Sequence, residues 1–221
     1  MNIEYFQTWF SPGINTSILL VILLTFFIVL MYQKIRRLTP TDRSTGIVMA
    51  LELLVDFINK FAKEHFGGYW KFYAPILLTL GLYLTFANTM GLFGIRPPTS
   101  SINVTLGLSI LAFFLIQGTG IVTKGGIGYI KGLFEPLPFM FPLNVIGELA
   151  VPISLGLRLF GNIFSGVIIT GLVYAALGNF APIITPVVHA IFDVFFGLIQ
   201  VVVFILLVTI FSSNSLASEE Q

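Results

Sequence analysis

This 221-residue chain contains no cysteine, so neither disulfides nor thiolate metal sites are open to it. Its two histidines, His65 and His189, stand too far apart in sequence to form a local metal pair, and a metal enzyme is not expected. Charge is scarce too, at 10% of residues against 56% hydrophobic ones. A soluble globular domain carries about 25% charged residues, so this composition belongs in a membrane. No basic patch for nucleic acid occurs. A phosphate loop of the Gly-x-x-x-x-Gly-Lys type and a nucleophile beside a base are both missing, and no cofactor is expected. The first ten residues carry Glu4 and no Lys or Arg, and no small-residue cleavage site follows the first apolar run. That run is therefore expected to stay in the bilayer rather than to be removed.

What the chain has in quantity is long apolar runs. A helix needs about 20 apolar residues to cross a hydrocarbon core of roughly 30 Å. Five stretches qualify, at about 14–32, 72–95, 104–122, 143–177 and 181–211. The last two exceed a perpendicular span, so they must tilt, bend or run partly along the interface. Between the first two, residues 44–66 place Ile47, Leu51, Leu54, Val55, Ile58 and Ala62 at helical spacing, with Glu52, Asp56, Lys60 and Lys63 mainly opposite. That is the pattern of an amphipathic helix lying on the membrane surface, with a buried soluble helix as the alternative. The expected fold is a single all-α integral-membrane domain of five spanning helices and one interfacial helix.

Basic residues set the expected orientation. If residues 33–71 are cytoplasmic they hold Lys34, Arg36, Arg37, Arg43, Lys60, Lys63 and Lys71, and alternation puts Lys124 and Lys131 on the same side. Only Arg96 falls outside, so the positive-inside rule makes the N-terminus external and the C-terminus cytoplasmic.

Arg158 is the anomaly, alone in the fourth span. A permanently charged guanidinium at membrane depth costs about 2.5–3.5 kcal/mol on insertion scales, so it needs a partner, water or a task. Ser154 and Asn162 stand one turn to either side, and Gly161 and Ser165 share that face. For Ser154, Gly161 and Ser165, close helix packing is the favoured reading of the small residues. The nearest acid on the span, Glu148, is almost three turns away. On the fifth span His189, Asp193, Gly197 and Gln200 follow at steps of four, four and three and form one stripe. Asp193 is a candidate for proton handling or for a static salt bridge to Arg158; His189, near Pro186, suits an interfacial anchor or a proton-accessible site.

The run from Pro152 to Gly166, Pro-Ile-Ser-Leu-Gly-Leu-Arg-Leu-Phe-Gly-Asn-Ile-Phe-Ser-Gly, resembles the signature around the essential arginine of the a subunit of bacterial-type rotary ATP synthase. The run from Pro98 to Leu106, the stretch from Ile191 to Gln200, and the ending Leu-Ala-Ser-Glu-Glu-Gln are similar to that family as well. The resemblance implies a non-catalytic stator subunit in a bacterial plasma membrane, with its two long spans tilted against a rotor ring of c-subunit hairpins and with b subunits as further partners. It implies two offset aqueous half-channels carrying protons or sodium ions. Arg158 would be the fixed cation passed by rotor carboxylates, Gln200 its hydrogen-bonding neighbour and Asn162 a lining residue. The family often has a glutamate where Val167 stands, His or Glu at Asp193, and an acid at Ser101, so the external route departs from the usual pattern. The competing reading is a stand-alone transporter for an anionic substrate, which should show inverted repeats; none is visible. An integral-membrane enzyme should show paired acids or a metal cluster, also not visible.

Overall fold

The computed structural model describes residues 12–36, 46–93, 95, 97–134, 137–178, 184, 186–188 and 190–217. Among the described residues the architecture is carried by α1 (Pro12–Arg36), α2 (Ile47–Phe66), α3 (Trp70–Thr89), α4 (Ile102–Leu133), α5 (Phe141–Leu177) and α6 (Gly197–Ala217), with a π-helix, Ala190–Phe196, leading into α6. Five helical runs are long and apolar enough to cross a bilayer, and no strand occurs among the described residues.

In lipid, apolar side chains gain little by leaving the solvent, so helices associate through close packing and hydrogen bonds. The buried residues follow that rule, with Ala62, Ala74, Ala87 and Ala112 fully or almost fully enclosed beside Leu77, Leu84 and Phe204. The periphery is left apolar, as on α1, where Ile18, Ile22 and Phe26 are exposed. Helix α1 meets the rest at its N-terminal end. A Cβ on Gly13 would stand 2.5 Å from that of Ser101, so only glycine lets α1 press against the Pro98–Ser100 turn. Further along, Ser17 and Tyr83 share a hydrogen bond of 2.6 Å.

Helices α2 and α3 form a hairpin joined by Gly67–Tyr69, with Phe66 stacked on Tyr73 at 4.0 Å between ring centres. Helix α2 buries Val48, Ile58, Ala62 and Phe66 against α3 and α6 and leaves Glu52, Asp56, Lys60 and Lys63 outside. Its charged face is thus the one the periodicity indicated. The first part of α4 ends at Gly125 (φ 68°, ψ 154°), close to the expected stop at residue 122, and a second helical stretch runs on from there to Leu133. A straight helix would set residues 117 and 129 about 18 Å apart. Instead the Tyr129 hydroxyl lies 2.7 Å from the Gln117 side-chain oxygen, so the chain folds back at Gly125.

Candidate functional site

Arg158 lies one residue from the midpoint of the 37-residue α5. Its direction is decided two residues earlier. A Cβ on Gly156 would stand 2.9 Å from Ser109 Oγ and 3.1 Å from Leu106 Cδ2, so α5 is pressed onto α4 along the Gly156 face. Two residues turn the helix by about 200°, which carries Arg158 to the opposite side. Leu155, Leu159 and Ile163 accordingly face the core. Ser154, Leu157, Arg158, Phe164, Ser165 and Val167 are exposed. The guanidinium therefore projects outward from a face of small, polar and apolar residues, and among the described residues it has no ion pair or hydrogen bond.

The other expected residues separate into three groups. Ser165 turns its hydroxyl inward on its own helix, donating to the Gly161 carbonyl at 2.7 Å. Such back-bonding satisfies the group locally and leaves a small, smooth surface. Asn162 and Gln200 both carry a buried side-chain NH2 with no acceptor among the described residues, and Gln200 is only 8% exposed. Each unpaired buried donor costs about 1–3 kcal/mol. His189 lies outside the described residues, and so does the side chain of Asp193, whose backbone belongs to the π-helix. The expected stripe took α-helical steps from 189 to 200, whereas residues 190–196 form a π-helix, bonded i to i+5.

Helices α5 and α6 run antiparallel beside Arg158. A cavity of about 220 Å³ is lined by Ser154, Leu155 and Arg158 of α5 and by Leu207 and Phe211 of α6. Gln200 precedes Leu207 by seven residues, about 10 Å along the helix. That register sets Gln200 level with the Gly161 to Ser165 turn, so the two unpaired amides, Asn162 and Gln200, occupy one layer just beyond Arg158.

Toward the other end, the small cavity shares Gly147, Val151 and Phe211 with a larger one of about 600 Å³. Its polar lining was not legible as a group: Gln117, Lys124 and Tyr129 from α4, Asn144 and Glu148 from α5, Asn214 and Ser215 from α6. Tyr129 stands 2.6 Å from Glu148 Oε2, and Gln117 donates to the same oxygen at 3.2 Å. The fold-back at Gly125 assembles this cluster, and sequence spacing carried no sign of it beyond three isolated polar residues. Among the described residues no three His, Asp or Glu converge to hold a metal.

These features define the class: an integral membrane protein of packed helices whose membrane-depth cation, Arg158, is turned outward, next to a small, mainly apolar cavity that adjoins a larger one carrying Gln117, Tyr129 and Glu148. The chain belongs to the ATP synthase A chain family, which matches residues 14–213. It is 36% identical to the sodium-ion-specific ATP synthase subunit a of Propionigenium modestum over 186 residues, which cover 76% of this chain and 63% of that protein. It is 32% identical over 206 residues to ATP synthase subunit a of Moorella thermoacetica, covering 93% of this chain and 90% of the relative. Against ATP synthase subunit a of Anoxybacillus flavithermus it is 31% identical over 229 residues, covering 96% of each.

Proposed function

We propose that this chain is the ion-translocating stator subunit in the membrane sector of a rotary ATP synthase, with nucleotide chemistry carried out on other subunits. The observation that carries this reading is the outward-facing Arg158, unpaired among the described residues and open to the cavities leading to Glu148. A buried or exposed arginine serving only to hold helices together would point at an anion of its own chain. Among the described residues Arg158 points at no such anion, which fits a cation facing whatever passes along the α5 face. The family implies a ring of rotor hairpins there, each bearing a carboxylate, and b subunits elsewhere on the surface.

The physics follows from the guanidinium. It attracts an ionised rotor carboxylate yet does not release its own proton, so it cannot relay protons between two aqueous half-channels. Asn162 and Gln200, one layer on, supply two NH2 donors for the carboxylate or its accompanying water as it arrives. The Glu148 cavity is the half-channel on the side of Lys124 and Lys131, the cytoplasmic side by the positive-inside rule. The external half-channel runs on the other side of the Arg158 level, where Asp193 is its titratable group and His189 a second candidate. Each charge crossing the bilayer yields about 2.3 kcal/mol per 100 mV, and the offset between half-channels turns that into rotation in one direction. Ser154, Gly161 and Ser165 keep the α5 face low so that the ring can pass closely. The membrane is a bacterial plasma membrane, with the N-terminus external.

A stand-alone transporter for an anion is not supported by the family match. The deciding experiment is Arg158→Ala in the complete complex reconstituted into vesicles. Ion-driven ATP synthesis should fall at least about a hundredfold, equivalent to roughly 2.7 kcal/mol, while the complex still assembles. Coupled synthesis retained in an assembled Arg158→Ala complex overturns the proposal.

A further inference from the structure

Asn88 is 1% exposed near the end of α3, on a face otherwise made of Leu80, Leu84 and Ala87. An amide buried at that depth costs free energy unless both its ends are bonded, and a packing stripe has no need of one. Both ends are bonded here, to two different elements. Its NH2 donates to the Gly197 carbonyl at 3.0 Å, and its oxygen accepts from the Thr99 hydroxyl at 3.1 Å. Thr99 is itself fully buried in the turn after α3.

The point on α6 that Asn88 grips is the first residue after the π-helix. A π-helix contains surplus residues relative to an α-helix, and nothing in its own hydrogen bonding fixes where along the chain the surplus sits. If the junction slid by one residue, that residue would trade a π step of about 80° for an α step of about 100°, and everything beyond it would rotate by about 20°. Gln200 is three residues past the junction. A second contact holds the same spot: a Cβ on Gly197 would stand 3.0 Å from Asn88 Cβ, so α3 and α6 touch almost backbone to backbone.

We infer that Asn88 is a positioning residue: with Thr99 and Gly197 it pins the π-to-α junction and thereby sets the rotation that places Gln200 in the layer beside Asn162. What this does for ion movement rests on the role proposed above for that layer; the rotation itself does not. Because the chain has no cysteine, single cysteines at 198, 199, 201 and 202 can carry a nitroxide without background. The readout is oxygen accessibility of each label in the full chain in lipid nanodiscs. With Asn88 present, position 201 should be the minimum and 198, 199 and 202 high, following their burial. In Asn88→Leu positions 198 and 202, which flank 201 on either side of the helix, should change accessibility in opposite directions, and Gly197→Ala should shift them the same way. If Asn88→Leu fails to fold, Asn88→Asp, which keeps the size and the Thr99 acceptor but loses the NH2 donor, should show the shift. Accessibilities at 198 and 202 that stay unchanged in a folded Asn88 variant overturn the inference. Since the label pattern does not depend on ion transport, it can fail while the Arg158 reading stands, and the reverse.

Discussion

A single glycine decides how the inner cavity is built. Gly125 sits at φ 68°, ψ 154°, a region essentially closed to side chains, and its conformation brings Tyr129 back to Gln117 and Glu148. Gly125→Ala is therefore expected to destabilise the protein by about 1–3 kcal/mol, although nothing crowds the added methyl group. For a chain of this size that corresponds to a fall in Tm of about 2–4 °C per kcal/mol, measurable by thermal denaturation in detergent. An unchanged Tm would show that the fold-back does not need the glycine. Arg158 illustrates the complementary case. Its position was plain in the sequence, since no other charge interrupts the run around it, but which way it points was not, because that depends on Gly156 meeting Ser109 on another helix.

Among the helices, the contact of α4 with α5 carries the most weight for the site. Gly156 admits Ser109 and Leu106 so closely that a side chain there must push the helices apart or rotate α5. Gly156→Leu should thus reduce coupled ATP synthesis at least about tenfold, close to 1.4 kcal/mol, with little change for a compensating Ser109→Gly partner in the same chain. A double variant no better than Gly156→Leu alone would argue against steric register as the cause. The periodicity of α2 and the length of each apolar run were readable because they are local. The π-helix was not: it has no compositional mark in Ala-Ile-Phe-Asp-Val-Phe-Phe, and it arises where the chain meets α3 through Asn88 and Gly197.

Across the whole molecule, the five apolar runs and the uneven basic residues make a topology that labelling can test. With a membrane-impermeant maleimide, Ala176→Cys near the end of α5 should be modified from outside the cell. Asn214→Cys, which lines the Glu148 cavity, should be modified only from the cytoplasmic side. The opposite pattern would invert the assignment of the half-channels. By itself the sequence determined the membrane class, the number of spans, the family signature and the lone cation. Each of those is written in composition or in contiguous residues, and a bilayer imposes length and hydropathy on every span separately. Only the tertiary structure decided that Arg158 faces outward, that Asn162 and Gln200 share a layer, and that Gln117, Tyr129 and Glu148 meet. These relations join residues on different helices, and in lipid, where apolar surface gives little direction, helix rotation is set by close contacts between small residues and by buried hydrogen bonds that no single segment encodes.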